Sequence, residues 1–261
     1  GKSLSAKGIY AIPNSYSITQ RFGKQFLARG DCCDWKRKFF KIMILPRLQC
    51  LTTDLSDVSH AEQTRVFCEA GASWVQIRSK SLSFSEYLIA AQTSARVCQE
   101  FGALFIVNDS PEIALRAQAD GVHLGSNDLS PKLAREILGS KVLIGGTVNS
   151  MADAEVLVAD GVCDYAGVGP FHFSGTKQNL APVLNSEELR SIILSLGTIP
   201  SFVIGGLDPD DVDDVLSSGA YGMAACNALF EDGNPSACGI SRFVDAVSLS
   251  SILVAQGVSY G

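Results

Sequence analysis

From residue 48 onward, short apolar runs alternate with segments of helical period. The β-type runs end near Asp54, Arg78, Asn108, Leu124, Thr147, Gly169, Gly206 and Asn227. Helical periods separate them, at roughly 59–70, 85–101, 111–118, 131–138, 150–159, 186–196, 209–217 and 236–248. Ser110-Pro111, Ser130-Pro131 and Asp208-Pro209 mark helix starts. Each sets a capping side chain before a proline at the first helical position. Eight strand–helix units in about 200 residues predict an α/β fold of the (β/α)8 TIM-barrel type, spanning 46–250. A doubly wound open sheet is the alternative.

The ends of the chain read differently. Residues 1–45 show no sustained period and carry a basic cluster, "KRKFFK". Three readings stand for this segment: an upstream extension ahead of a start at Met43, an organellar targeting segment, or an added helix packed on the domain. Residues 251–261 read as a tail.

Charge sharpens the division. Residues 1–45 hold nine Lys/Arg and two Asp/Glu, net +7; the overall charge is −6, so the other 216 residues carry −13. An acidic domain is a poor general binder of nucleic acid or anionic membrane, so any anion must be held by a few positioned groups. No apolar run reaches the ~20 residues of a membrane helix. Eight cysteines include no Cys-x-x-Cys pair, and His occurs only at 60, 123 and 172, so a zinc site is not expected. Cysteines in strands and on apolar helix faces suit reduced thiols in a cytoplasmic protein. A homo-oligomer is compatible with the sequence, which sets no assembly state.

Active sites of this fold sit at the C-terminal ends of the strands. Strand 2 ends in "WVQIRSK", where Gln76, Arg78 and Lys80 alternate and share one side. They read as an anion clamp with an amide for a polar ring, or as solvated charges beyond the strand. Strand 3 ends in Asn108-Asp109 and strand 4 runs to Asp128. Two carboxylates on neighbouring strand ends suit Mg2+, although Asn and Asp also cap helices. His123 lies within strand 4 and reads as a packed or hydrogen-bonded histidine. Thr147 ends strand 5 and can exchange a hydrogen bond. After strand 6, Ser174, Thr176 and Lys177 offer two hydroxyls and a mobile cation, which suit phosphate oxygens. Gly205-Gly206 after strand 7 and Cys226-Asn227 after strand 8 occupy the usual phosphate corner of this fold. The strand ends thus offer two anion sites. No Ser-His-Asp set, Cys-His pair or strong dinucleotide fingerprint appears, so a transferase or lyase fits better than a hydrolase or dehydrogenase.

The pieces "VQIRSK", "IVND", "ADGVHLGSND", "IGGTVNS", "CDYAGVGPFHFSGTK", "VIGG" and the Gly-Ala-x-Gly run at 219–222 occur in an order that resembles the thiamine-phosphate synthase family. The resemblance covers about 48–248, and "GPFHFSGTKQNLAPVL" looks like the variant of Bacteroidetes. It implies that a hydroxymethylpyrimidine diphosphate is joined to a hydroxyethylthiazole phosphate, giving thiamine phosphate and diphosphate. It implies that Gln76, Arg78, Lys80, Asn108, Thr147 and Lys177 bind the pyrimidine diphosphate. By the same resemblance Asp109 and Asp128 hold Mg2+, and Ser174, Thr176, Gly206, Cys226 and Asn227 hold the thiazole phosphate. Arg78, Lys80, Thr147 and Lys177 are the members expected to act in catalysis. The chain departs from the family at Ser110, Ser126, His172 and Cys226-Asn227. A sister thiazole tautomerase shares the fold, but its histidine stands where this chain has Pro170. A non-catalytic barrel that binds thiazole phosphate is the third reading, and it would not need the second anion site.

Overall fold

The computed structural model describes residues 45–173 and 182–255. Eight parallel strands close into a barrel in strict chain order. They are β1 (Leu48–Leu51), β2 (Trp74–Ile77), β3 (Leu104–Asn108), β4 (Gly121–Leu124), β5 (Leu143–Val148), β6 (Tyr165–Val168), β7 (Ser201–Ile204) and β8 (Gly222–Ala225). A helix follows each: α1 (His60–Glu69), α2 (Phe84–Phe101), α3 (Pro111–Arg116), α4 (Pro131–Leu138), α5 (Met151–Asp160), α6 (Ser186–Ser195), α7 (Val212–Ser217) and α8 (Ala237–Ala255). Short 3-10 turns, Pro209–Asp211 and Asn227–Leu229, precede α7 and α8. A small ribbon of β9 (Phe230–Glu231) and β10 (Asn234–Pro235) lies before α8.

The ring is sealed where β8 pairs with β1, Gln49 opposite Ala224 and Cys50 opposite Ala225. A doubly wound sheet would leave two edge strands, and the barrel has none. Of the expected regions, residues 1–45 lie outside the described residues except at their last position. Helix α8 runs to Ala255, past the tail boundary expected at 251. Among the described residues no helix is long and apolar enough to cross a membrane.

Local chemistry explains the helix starts. Ser59, Ser83 and Asn185 each form a reciprocal capping box with a glutamate three residues on. Ser110 and Ser130 accept from the backbone of Ile113 and Leu133, as their Ser-Pro pairs predict. The third expected start differs: Asp208 caps the 3-10 turn, and α7 begins only at Val212.

Strand alternation separates two packed layers. Outward residues such as Val75, Ile77, Phe105, Val107, Ile144 and Val203 join Phe67, Ile113, Leu157, Leu189, Val215 and Phe243 of the helices in the main core. Inward, Trp74, Tyr165 and Phe202 meet edge to face, with centroids 4.8–5.8 Å apart. These three fill the barrel floor and leave room for polar side chains above. That filling requires small neighbours. A Cβ on Gly145 would stand 2.2 Å from Tyr165 Cζ.

Gly145→Ala is therefore expected to lose about 3 kcal/mol in urea unfolding, the upper end of overpacking costs. Gly102→Ala is the control: its φ is +67° but a Cβ there meets nothing within 4 Å, so only backbone strain of about 1 kcal/mol is expected. Equal losses at the two positions would show that the interior can move aside for a methyl group.

Candidate active site at the barrel mouth

The clamp residues sit on a braced turn. Asp54 Oδ2 accepts from the backbone N–H of Lys80 at 2.8 Å and of Ser81 at 3.1 Å. Its Oδ1 lies 3.2 Å from His60 Nε2, and His60 Nδ1 lies 2.8 Å from Thr52 Oγ1. Thr52 Oγ1 accepts from the Arg78 N–H at 3.2 Å. Thr52 and Asp54, both in the loop after β1 and linked by His60 of α1, thus hold the Arg78–Ser81 turn by its backbone. Burial pushes the Asp54 carboxyl up, but hydrogen bonds from Ser79, Lys80, His60 and Ser81 outweigh it and leave the pKa below the usual aspartate value. Burial holds His60 below its usual value, partly offset by Asp54.

Of the clamp side chains, Gln76 is buried, Arg78 half-buried and Lys80 exposed. Gln76 Nε2 donates to Gln49 Oε1 at 2.9 Å. Among the described residues the buried Gln76 Oε1 has no hydrogen-bond partner. An unmet acceptor of this kind is costly unless a ligand supplies the donor. Arg78 makes no ion pair among the described residues. Its charge reaches Cys226, whose thiol burial pushes up to about 11 against the opposing pull of Arg78. The anion clamp expected at β2 and the phosphate corner expected at β8 are therefore neighbours.

The two carboxylates also meet. Asp109 sits in a left-handed conformation, φ +69°, with its N–H donating to His123 O at 2.8 Å. Its Oδ2 contacts Lys80 Nζ. Asp128 Oδ2 accepts from the Gly125 N–H at 2.7 Å, and its carboxyl contacts that of Asp109. Burial pushes Asp128 upward, the Gly125 bond opposes this, and the Asp109 charge adds to the rise. Neither aspartate caps a helix, since Ser110 and Ser130 take that role. An all-oxygen pair with repelling charges fits a hard cation. Among the described residues no third His, Cys, Asp or Glu completes a protein cage.

On the far side, Thr147 Oγ1 lies 3.0 Å from His123 Nε2. Asn108 is buried, and its carbonyl accepts from Tyr87 O–H at 3.0 Å, as does that of Ile77. Tyr87 so ties the ends of β2 and β3 together. Ser174, Thr176 and Lys177 lie outside the described residues. The chain leading to them packs on the Gly205-Gly206 turn: His172 N–H donates to Gly205 O at 2.8 Å, and a Cβ on Gly206 would stand 2.8 Å from His172 Cβ. The expected helix terminus after β7 is already satisfied, because Asp208 accepts from Asp210 N–H at 2.8 Å. Asn227 opens the 3-10 turn after β8, next to Cys226. Gln49, Asp54, His60, Tyr87 and Tyr165 belong to the site but are not among the residues the sequence points to. A glutamine inside the apolar run "LQCL" is the one local signal that could have raised Gln49.

Fold and mouth together define a (β/α)8 barrel with basic and acidic side chains gathered at its strand ends. The model of the family described as thiamine monophosphate synthase matches residues 49–229. The chain is 40% identical over 171 residues to the thiamine-phosphate synthase of Flavobacterium psychrophilum, covering 64% of this chain and 82% of that protein. It is 35% identical over 192 residues to that of Bacteroides fragilis, covering 72% and 94%. Among solved structures, the thiamine phosphate pyrophosphorylase of Pyrococcus furiosus superposes with a TM-score of 0.68 at 30% identity, covering 78% of this chain and 96% of that one. The chain belongs to the thiamine monophosphate synthase family.

The brace on the clamp turn has a pH signature. A carboxyl held below its usual pKa contributes stability above the unfolded value of about 3.9 and loses it as pH falls through the folded value. The stability gap between wild type and Asp54→Asn is expected to be constant from about pH 7 to 8 and to narrow below about pH 4. Urea unfolding across pH checks this, and a gap that widens in acid would contradict the brace.

Proposed function

We propose that this barrel joins a hydroxymethylpyrimidine diphosphate to a hydroxyethylthiazole phosphate, forming thiamine phosphate and releasing diphosphate. The observation that carries the reading is a half-buried Arg78 that makes no ion pair among the described residues, on the turn whose Lys80 contacts Asp109, itself in contact with Asp128. Family membership supplies the reaction class.

In this reading Arg78, Lys80 and Lys177 bind the departing diphosphate, while Gln76, Asn108 and Thr147 hold the pyrimidine. The bond between the ring methylene and the diphosphate oxygen breaks, and its electron pair leaves with the diphosphate. The amino-substituted ring spreads the positive charge. The thiazole nitrogen then donates its lone pair to form the new C–N bond. Ser174, Thr176, Gly206, Cys226 and Asn227 hold the thiazole phosphate so that this nitrogen faces the methylene, which is positioning rather than acid–base work. Asp109 and Asp128 would hold Mg2+, which when bound neutralises charge on the diphosphate.

The protein incubated with both substrates and Mg2+ is expected to yield thiamine phosphate, read by mass; no product from the folded protein would overturn the reading. Lys177→Ala is expected to keep its melting temperature and to lose about 10²-fold in turnover, the scale of one preorganised charge. Near-normal turnover would remove Lys177 from the site.

Asp128→Asn tests the metal separately. It is expected to raise the Mg2+ concentration needed for activity and to leave affinity for the thiazole phosphate unchanged. Full activity in EDTA would show that Arg and Lys alone carry the departing charge.

A further inference from the structure

Five inward side chains form one hydrogen-bonded line across the barrel. Gln76 Nε2 on β2 donates to Gln49 Oε1 on β1 at 2.9 Å. Gln49 Nε2 donates to Tyr165 Oη on β6 at 3.4 Å. Tyr165 Oη lies 3.3 Å from His123 Nδ1 on β4, and His123 Nε2 lies 3.0 Å from Thr147 Oγ1 on β5. The two ends are substrate residues in the proposed function. The proposed function assigns no substrate contact to the three middle residues. Room for them is built in, because a Cβ on Gly145 would stand 2.5 Å from Tyr165 Oη and 2.6 Å from His123 Nδ1, and one on Gly167 would stand 3.0 Å from His123 Cε1.

A line of this kind has a direction. Tyr165 Oη accepts from Gln49, so its own proton goes to His123 Nδ1. Burial, the largest influence on the phenol, pushes its pKa up, and the bond from Gln49 only partly opposes this, so Tyr165 keeps that proton. His123 Nδ1 is then an acceptor, and its proton sits on Nε2 facing Thr147. Thr147 accepts from His123 and is left with its hydroxyl hydrogen to donate. At the other end Gln76 is left with Oε1, the buried atom that has no partner among the described residues. The opposite ordering would require both amides, the phenol and the imidazole to reverse together.

We infer that Gln49, Tyr165 and His123 are positioning residues that set the polarity of the pyrimidine pocket, presenting an acceptor at Gln76 and a donor at Thr147. The inference rests on the pocket holding the pyrimidine as proposed above. A ring that offers an amino hydrogen to Gln76 and an unprotonated ring nitrogen to Thr147 matches this polarity. An oxo ring, with a carbonyl in place of the amino group and N–H in place of the bare nitrogen, opposes it at both ends. The line therefore discriminates between two rings of nearly equal shape.

Two measurements test the inference. In the free full-length protein labelled with 15N-histidine, long-range 1H–15N correlations are expected to place the His123 proton on Nε2, the signal being assigned by its loss in His123→Asn. A proton on Nδ1 would overturn the ordering. Tyr165→Phe then cuts the line while keeping the ring that packs on Trp74 and Phe202. It is expected to raise KM for the aminopyrimidine diphosphate by about 10-fold, leave KM for the thiazole phosphate unchanged, and cut the preference for amino over oxo ring by about 10-fold. Gln49→Met should act in the same direction without removing the phenol. A loss of stability with an unaltered amino-over-oxo preference in both variants would show a purely structural line and overturn the inference. If wild type makes no thiamine phosphate, the functional reading fails by itself, and the position of the His123 proton still decides the ordering.

Discussion

Pairing of β8 with β1 is the constraint on which everything at the mouth depends. Each strand carries its inward residues at every second position, and closure makes those positions converge on one axis. Gln49, Gln76, His123, Thr147 and Tyr165 come from five strands spread over more than a hundred residues, yet they touch in a line. An open sheet with the same strands would set β1 and β6 too far apart for Gln49 to reach Tyr165. The direct pairing of β3 with β4, Asn108 opposite His123, brings Asp109 and Asp128 together beyond their ends.

Above that closure the interior divides by height. An aromatic floor of Trp74, Tyr165 and Phe202 excludes water from below. The polar line lies over it, and the charges of Arg78, Lys80, Asp109 and Asp128 crown the strand ends. The order suits the chemistry. Fixed dipoles close to a dry floor are worth more than the same dipoles in water, while the charged groups stay where phosphates can enter. Bracing follows the same logic. The clamp turn is held through backbone N–H groups by Asp54 and Thr52, so the bracing does not engage the Arg78 and Lys80 side chains.

Much of this was legible in the sequence because it is local. Period, Ser-Pro caps and strand-end polar residues are written within a few positions, so the barrel and the stations of Gln76, Arg78, Asn108, Asp109 and Asp128 followed from them. What was not legible depends on contacts between distant strands. Tyr165 reads as an ordinary aromatic strand residue until Gln49 arrives from β1. His60 has no visible purpose until Thr52 and Asp54 flank it. The Asp208-Pro209 pair does mark a start, but that of a 3-10 turn, because a run of aspartates satisfies its own backbone there before α7 begins.

The left-handed backbone at Asp109 sets an evolutionary limit. Glycine and asparagine accept that conformation readily, but neither brings a negative charge. Glutamate brings the charge but suits the turn poorly. In the proposed function, where Asp109 helps hold Mg2+, aspartate satisfies both demands, since it tolerates the left-handed conformation and brings the charge.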